Sequence, residues 1–120
     1  MKANTLRFGN IIKTGFEDII IVGFSTFKAL ENNESYFYPI EITEEWLLKF
    51  GFQLKDEVNR GYLITTNEYL KESLYCSKDG VVALYSEILE NKKDFILKKI
   101  TYIHQLQNLY FSLTDLELEG

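Results

Sequence analysis

The single histidine of the chain, His104, lies among amide and aromatic side chains near the C-terminus. On a helix, residues three and four positions apart share a face, so His104, Gln107 and Phe111 would form a ridge, with Asn108 beside it. We call these four residues the polar ridge. An imidazole can transfer protons, amides can hydrogen-bond to a ligand, and a Phe ring can stack on one. Because the sequence supplies neither a nucleophile nor an orienting acid beside His104, it predicts a binding surface and no catalytic residue.

The polar ridge has two interpretations at the level of the sequence. In the first, it is a contact surface for a partner protein, a second copy of the chain, or a small ligand stacked on Phe111. In the second, the helix lies between the sheet and a preceding loop, so that both faces are covered and His104 and the amides hydrogen-bond to the backbone. The other helix face is predicted to pack in the core and comprises Tyr102, Ile103, Leu106, Leu109, Tyr110 and Leu113.

Other reactive side chains have structural explanations. Cys76 is the only cysteine, so it cannot form an internal disulfide. It also lacks the sequence context that lowers a thiol pKa, so we predict a packed, unreactive thiol. The carboxylates of Glu44–Glu45 and Asp56–Glu57 are typical of a first helical turn and a solvated loop. Zinc-ligand spacings, phosphate-binding glycine loops and hydrolase motifs are absent from the sequence, which predicts no metal and no cofactor.

Charge disfavours two classes of partner. The formal net charge is −5, and the basic residues are dispersed apart from a group at Lys92, Lys93, Lys98 and Lys99. Binding to nucleic acid or to an anionic membrane needs a concentrated basic surface, so both are disfavoured. The sequence leaves open whether the lysine group forms a site. The N-terminus lacks a signal-peptide core and no apolar run approaches the ~20 residues of a membrane span, so we expect a cytoplasmic protein.

Length and composition predict one α+β domain spanning residues 1–120. The chain is 46% hydrophobic and contains eight Tyr and nine Phe, which favours an aromatic-lined, strand-rich interior over a helical bundle. We predict a small bent antiparallel sheet or barrel, one short inserted helix over about 43–51, and a C-terminal helix over about 101–114. Thr43 is the expected N-cap of the inserted helix, and Gly51 its expected end, with Phe52 folding back.

The first half of the chain is predicted to form three strands. Residues 6–12 alternate in polarity around Gly9–Asn10, which indicates a bulged strand. The β-branched run over 17–27 indicates a second, more central strand, antiparallel to the first. A polar loop is expected over 29–35, followed by an edge strand over 36–40.

The second half contains the strongest hairpin signal. Asp79–Gly80 separates two strand-like runs over 69–76 and 81–89. Residues 53–60 are charged and predict a loop, and a short strand is expected over 62–66. A last strand is expected over 94–98.

Three motifs resemble a known family in chain order. They are Leu6-Arg7-x-Gly9-Asn10, the run ITEEWLLKFGF over 42–52, and the run YIHQLQNLYFSLT over 102–114. Together they resemble a family of small proteins, without an assigned activity, from bacteroidete bacteria and their phages. The chain departs from that family's pattern over 114–118. The resemblance implies a phage or prophage accessory gene, a class that often encodes inhibitors or sponges acting on host defence.

Three hypotheses for function follow. The leading one is a non-enzymatic, cytoplasmic binding protein, associated with a phage or prophage, that acts through protein contacts and self-association. The alternative is a small-molecule sequestering protein that holds a nucleotide-like ligand against Phe111, Tyr110 or Trp46 at a subunit boundary. The weakest is a nucleic-acid-binding small barrel, which predicts a basic face and a steep salt dependence.

Overall fold

The computed structural model describes residues 5–32, 36–86 and 95–120. These residues form an α+β fold of two antiparallel sheets and three helices, which confirms the predicted class. The strands are β1 Ile11–Thr14, β2 Ile19–Ile21, β3 Phe37–Tyr38, β4 Gln53–Asp56, β5 Gly61–Asn67, β6 Glu72–Ser77, β7 Val81–Ser86 and β8 Phe95–Lys99. The helices are α1 Phe24–Asn32, α2 Glu44–Lys49 and α3 Ile103–Thr114.

The N-terminal sheet has the strand order β2-β1-β3. Neighbouring residues of a strand face opposite sides, so β1 contributes to two separate apolar clusters. Ile12 packs with Val22, Leu30 and Phe37 in a small cluster under α1, whereas Ile11 faces the main core of the molecule. Strand β1 therefore joins the two cores.

Several predictions for this region are wrong. The bulged strand expected over 6–12 is absent from residues 6–10, which include a turn at Phe8 and Gly9, and β1 begins at Ile11. The strand expected over 17–27 ends at Ile21, and α1 begins three residues later and covers part of the expected loop over 29–35. Residues 33–35 of that loop lie outside the described part of the chain. The unbroken run of β-branched residues stops at Val22 and Gly23 interrupts it, after which apolar residues recur at helical spacing. Strand β2 also lies at the edge of its sheet and not at its centre.

The second sheet has five strands in the order of the sequence, β4-β5-β6-β7-β8. The hairpin at Asp79–Gly80 is confirmed, with Cys76 paired to Val82 across it. Residues 87–89, the predicted end of the hairpin, and residue 94, the predicted start of the last strand, fall outside the described residues. Residues 53–56 form an edge strand and not the predicted loop. The prediction failed because β4 exposes most of its side chains, so its sequence shows no apolar alternation.

Both predicted helices are present. Thr43 caps α2, since its Oγ1 accepts a hydrogen bond from the backbone N–H of Trp46 over 3.2 Å. Gly51, at φ +94°, ends the helix, and the backbone N–H of Phe52 donates to the carbonyl oxygen of Leu47 over 3.0 Å. Phe52 is thereby folded back into the core, as predicted from the local sequence.

Helix α3 closes the main core. Gln105 caps its first turn by accepting hydrogen bonds from the backbone N–H groups of Thr101 and Tyr102 over 2.9 and 3.0 Å. Ile103 and Leu106 are fully buried, as expected for the apolar face. Leu113 departs from the prediction, because it is 39% exposed at the far end of the helix.

Candidate functional site

The polar ridge is largely internal. His104 and Gln107 are 4% and 0% exposed, and Asn108 and Phe111 are half-buried. The interpretation of the ridge as an exposed contact surface is therefore wrong for His104 and Gln107. The segment before β1 and the C-terminal tail, in place of the expected preceding loop, cover this face of α3. The structure therefore agrees with the second interpretation in that both faces of the helix are packed, although Nδ1 of His104 has no hydrogen-bond partner among the described residues.

Gln107 joins three segments of the chain. Its side-chain oxygen accepts a hydrogen bond from the backbone N–H of Ile11 over 2.8 Å. Its Nε2 donates to the carbonyl oxygens of Gly9 and Leu118 over 3.1 and 2.9 Å. A buried amide that satisfies three backbone groups fixes the start of β1 and the tail against α3.

Asn108 extends these contacts to the N-terminal segment. Its Oδ1 accepts hydrogen bonds from Asn10 Nδ2 over 2.8 Å and from Arg7 Nε over 3.1 Å. The backbone N–H of Arg7 in turn donates to Asn10 Oδ1 over 2.7 Å. Asn10 is fully buried, so this local turn is held inside the protein.

Phe111 has a structural partner on the polar side of α3. The guanidinium carbon of Arg7 lies 4.1 Å from the centroid of the Phe111 ring, within range of a cation–π interaction. The same guanidinium forms a two-point ion pair with Glu117, in which Nη2 and Oε2 are 3.1 Å apart. Sequence reasoning did not identify Arg7 as a partner, because about 100 residues separate it from α3 and no local pattern signals the contact.

These contacts account for two of the motifs that carry the family resemblance. Arg7, Gly9 and Asn10 of the first motif contact Gln107 and Asn108 of the last one. The motif residues thus fasten the two ends of the described chain together. Their arrangement is that of a structural network and not of a reaction centre.

His104 is buried and has one stacked aromatic ring beside it. The ring of Tyr102 lies parallel to the imidazole, with 5.8 Å between centroids. His104 Nδ1 is buried and has no hydrogen-bond partner among the described residues. Burial lowers the pKa of His104 from its ordinary value of 6.5, so the imidazole is neutral at pH 7.

Cys76 is an unreactive core thiol, as predicted. The residue is fully buried, and burial raises the pKa of its thiol to about 12. The Sγ donates to the carbonyl oxygen of Ser77 over 3.4 Å. A thiol in this state is not a nucleophile at neutral pH.

The carboxylates are held in their charged forms by nearby donors. Arg60 Nε lies 2.5 Å from Glu44 Oε1, and this hydrogen bond lowers the pKa of Glu44. Asp56 accepts hydrogen bonds from the side chain and backbone of Asn59 and from the backbone of Val58, which lower its pKa. Arg60 is a second cation that sequence reasoning missed.

Four of the exposed large apolar side chains of the described chain lie on or beside strand β2. Phe16 and Phe24, which flank the strand, are 77% and 68% exposed. Ile19 and Ile21 are 53% and 70% exposed and lie on the same side of the sheet. We call these four residues the β2 edge surface. Because β2 has β1 as its neighbour on one side, its other edge is open within the described structure.

A recess of about 500 Å³ lies between the N-terminal sheet and helix α2. Its aromatic lining is Tyr38, Trp46 and Tyr102, and its charged lining is Lys13, Glu41 and Glu45. Of the three aromatic residues considered for ligand stacking, only Trp46 opens onto it. Tyr110 is 8% exposed in the core, and Phe111 lies against Arg7.

The predicted lysine group is only partly described. Lys98 and Lys99 are exposed on β8, whereas Lys92 and Lys93 lie outside the described residues. Among the residues of the three described ranges, no cluster of His, Cys, Asp and Glu side chains could hold a metal ion. Within those ranges, too, no helix is both long and apolar enough to cross a membrane.

Comparison of the chain with family models, with curated proteins and with solved structures finds no match. The resemblance to the bacteroidete and phage family stays a prediction from the motifs.

Proposed function

We propose that this chain is a non-enzymatic binding protein that acts through protein contacts made by the β2 edge surface. The observation that supports this most directly is the exposure of four large apolar side chains, between 53% and 77%, on and beside a strand edge that no other described strand covers. Proteins usually protect such edges with charged residues, proline or a bulge. Contiguous exposed apolar side chains are typical of interaction sites.

The proposed mode of binding is strand addition. An extended segment of the partner would lie beside β2 and accept and donate backbone hydrogen bonds at its open edge. Its side chains would cover Ile19 and Ile21 on one face of the sheet. The Phe24 ring would contact one end of the added segment, whereas the Phe16 ring, which packs edge-on against Tyr36, lies beyond the other end.

The state of the reactive side chains supports a role without catalysis. His104 is enclosed and neutral, and the Cys76 thiol is buried with a pKa of about 12. Hydrogen-bond donors beside Glu44 and Asp56 favour the ionised carboxylate and lower the pKa of each group. A carboxylic acid that acts as a general acid at neutral pH needs a raised pKa.

The setting of the protein is proposed from the sequence. The lone cysteine favours a reducing compartment, which supports a cytoplasmic location. The motif resemblance supports a phage or prophage accessory factor, whose proposed partners are a second copy of the chain and a protein of the bacterial host, including one that acts in defence.

A matched pair of substitutions tests the contact surface. Ile21→Lys places a charge on the β2 edge surface, and Val58→Lys makes the same change at a turn residue that is 90% exposed elsewhere. Both variants should keep the wild-type circular dichroism spectrum. In affinity capture from a bacteroidete host lysate, followed by a purified binding assay, Ile21→Lys should lose the captured protein and Val58→Lys should retain it.

The proposal is wrong if Ile21→Lys changes neither the proteins that are captured nor the association of the chain with itself. A contact surface that tolerates a lysine at its most exposed strand position would not depend on the apolar edge of β2.

The recess beside Trp46 supports a second candidate function, the sequestering of a small aromatic molecule. Its volume and three aromatic walls suit a ligand of nucleobase size. The charge is less suited to a phosphate, because two carboxylates line the recess and the one ammonium group, on Lys13, already lies 3.2 Å from Glu17. An uncharged or cationic ring is therefore favoured over a nucleotide.

Thermal-shift measurements with nucleobases, nucleosides and nucleotides test this candidate. A ligand at a hundred times its dissociation constant should stabilise the protein by about 2.7 kcal/mol. Trp46 is the only tryptophan, so its fluorescence should change with the same ligand. An unchanged melting temperature and unchanged fluorescence across the set would reject the candidate.

A further inference from the structure

Along β2, residues whose backbone groups hydrogen-bond to β1 alternate with residues whose backbone groups face away from β1. The carbonyl oxygen of Asp18 accepts a hydrogen bond from β1 over 2.9 Å, and the backbone N–H of Val22 donates to the residue before β1 over 2.7 Å. Antiparallel strands bond at every second residue, so Ile20 also faces β1. The N–H and C=O groups of Ile19 and Ile21 therefore point to the open edge.

The outward groups are arranged symmetrically about Ile20. In an antiparallel pair of two β2 strands, Ile19 of each copy lies opposite Ile21 of the other, and each such pair can exchange two hydrogen bonds. Ile20 then lies opposite Ile20 at a position without hydrogen bonds. The edge of one copy thus supplies every donor and acceptor that the edge of another copy requires.

The side chains of the strand itself are symmetric in the same way, with Ile19 and Ile21 on one face on either side of Ile20. Outside the strand, the two-fold axis brings the turn that carries Phe16 in one copy towards the start of α1, with Phe24, in the other. At the two ends of the ladder, Asp18 lies opposite Val22 and not opposite a carboxylate, whereas Glu17 has left the strand with φ +65°. Like charges directly opposite would destabilise a strand pair, so the register carries no such cost.

We propose that the occupant of the β2 edge surface is a second copy of this chain, paired through β2 in antiparallel register about Ile20. This inference rests on the proposed function of that surface and names its partner. The two N-terminal sheets form one continuous six-stranded sheet of order β3-β1-β2-β2-β1-β3. The contact is self-complementary and closes as a dimer, which removes the exposed apolar edge from water.

Charge gives the self-association a distinctive salt dependence. Each copy carries a formal charge of −5, so two copies repel each other while their apolar edges attract. Salt screens the repulsion and leaves the apolar contact in place. The dimer should therefore strengthen at high salt, whereas a complex with a basic partner should weaken.

Sedimentation equilibrium of the full chain tests the stoichiometry. The mass should rise with concentration from 14.1 kDa towards twice that value, and the rise should occur at lower protein concentration in high salt. Ile21→Lys should remain monomeric at concentrations where Val58→Lys and the wild type are dimers. These two variants alter exposed side chains, so neither result depends on a change in the core.

Disulfide cross-linking tests the register. An equimolar mixture of Ile19→Cys and Ile21→Cys should form a covalent dimer on mild oxidation, because paired strand positions lie about 5.5 Å apart, within the range of a disulfide. Ile20→Cys should cross-link to itself at about 4.5 Å, and Ile19→Cys alone should not. The buried Cys76 thiol does not compete for the oxidant.

A chain that stays monomeric at all concentrations in low and high salt would overturn the self-pairing. The wider proposed function would still hold in that case if a host protein is captured in a manner sensitive to Ile21→Lys. A dimer that survives Ile21→Lys, or one in which the mixed cysteine variants fail to cross-link, would overturn pairing through β2.

Discussion

The side-chain oxygen of Gln107 accepts a hydrogen bond from the backbone N–H of Ile11 over 2.8 Å. Gln107 is fully buried, and the bond joins α3 to the first residue of β1. Its amide nitrogen is used as well, by the carbonyl oxygens of Gly9 and Leu118. Gln107, which a helical wheel places on the polar side of α3, therefore attaches both β1 and the C-terminal tail to this helix.

Gln107→Leu should destabilise the protein by about 3 kcal/mol, because the substitution keeps the volume but leaves one backbone donor and two acceptors unsatisfied in the interior. Urea denaturation followed by circular dichroism measures the loss. Ser112→Ala is the control on the same helix, since Ser112 is exposed and bonds only to the carbonyl oxygen of Asn108. Equal stability of the two variants would contradict the role assigned to Gln107.

The cation–π contact between Arg7 and Phe111 should be measurable as a coupling. A double-mutant cycle with Arg7→Met and Phe111→Leu should give about 1 kcal/mol for the stacked pair, because the ion pair of Arg7 with Glu117 is lost in both Arg7 variants and cancels from the cycle. The comparison cycle uses Lys49 and Trp46, which are 4.7 Å apart at the surface. A coupling no larger than in this exposed pair would show that burial adds nothing to the Arg7 contact.

The sequence predicts those parts of the fold that depend on neighbouring residues. Thr43 and Gly51 mark the ends of α2 through cap chemistry, and Asp79–Gly80 marks the hairpin through its turn geometry. These signals act within a few residues, so they are visible without the tertiary structure. The apolar face of α3 is predicted for the same reason, except at its last turn, where Leu113 extends past the core.

The rest depends on contacts that are distant in the chain. The polar ridge is covered by segments about 100 residues away and by the tail, so the wheel alone could not distinguish an exposed ridge from an internal network. Strand β4 was missed because a polar edge strand has no apolar alternation. The open edge of β2 follows from strand order, which the run of isoleucines did not reveal.

Gly80 should be far less tolerant of substitution than Gly51. Both have positive φ, +89° and +94°, so an added Cβ strains both backbones in a similar way. At Gly80 the Cβ would also lie 1.9 Å from the carbonyl oxygen of Ile100, whereas at Gly51 it would meet open space. Thermal denaturation should show a loss of about 1 kcal/mol for Gly51→Ala and a much larger loss for Gly80→Ala. Similar melting temperatures would contradict the close packing of the hairpin against Ile100.

Burial of His104 should make the stability of the protein fall in mild acid. The pKa of the imidazole is lowered in the folded state, so the unfolded chain takes up a proton first as the pH drops through about 6.5. Proton uptake by the unfolded state lowers the free energy of unfolding, and the effect is absent above that pH, where both states are neutral. The carboxylates Glu44 and Asp56 have lowered pKa values and titrate at more acid pH, so they do not cause the change in stability in this pH range.

Denaturation at pH values of about 7.5 and 5.5 measures this difference in the wild type and in His104→Phe. Phenylalanine retains an aromatic ring that can stack on Tyr102 and removes the titrating group, so its stability should change less over the interval. The comparison within each protein makes the result independent of any overall loss caused by the substitution. An equal decrease in both proteins would show that another group, and not the buried imidazole, responds to acid.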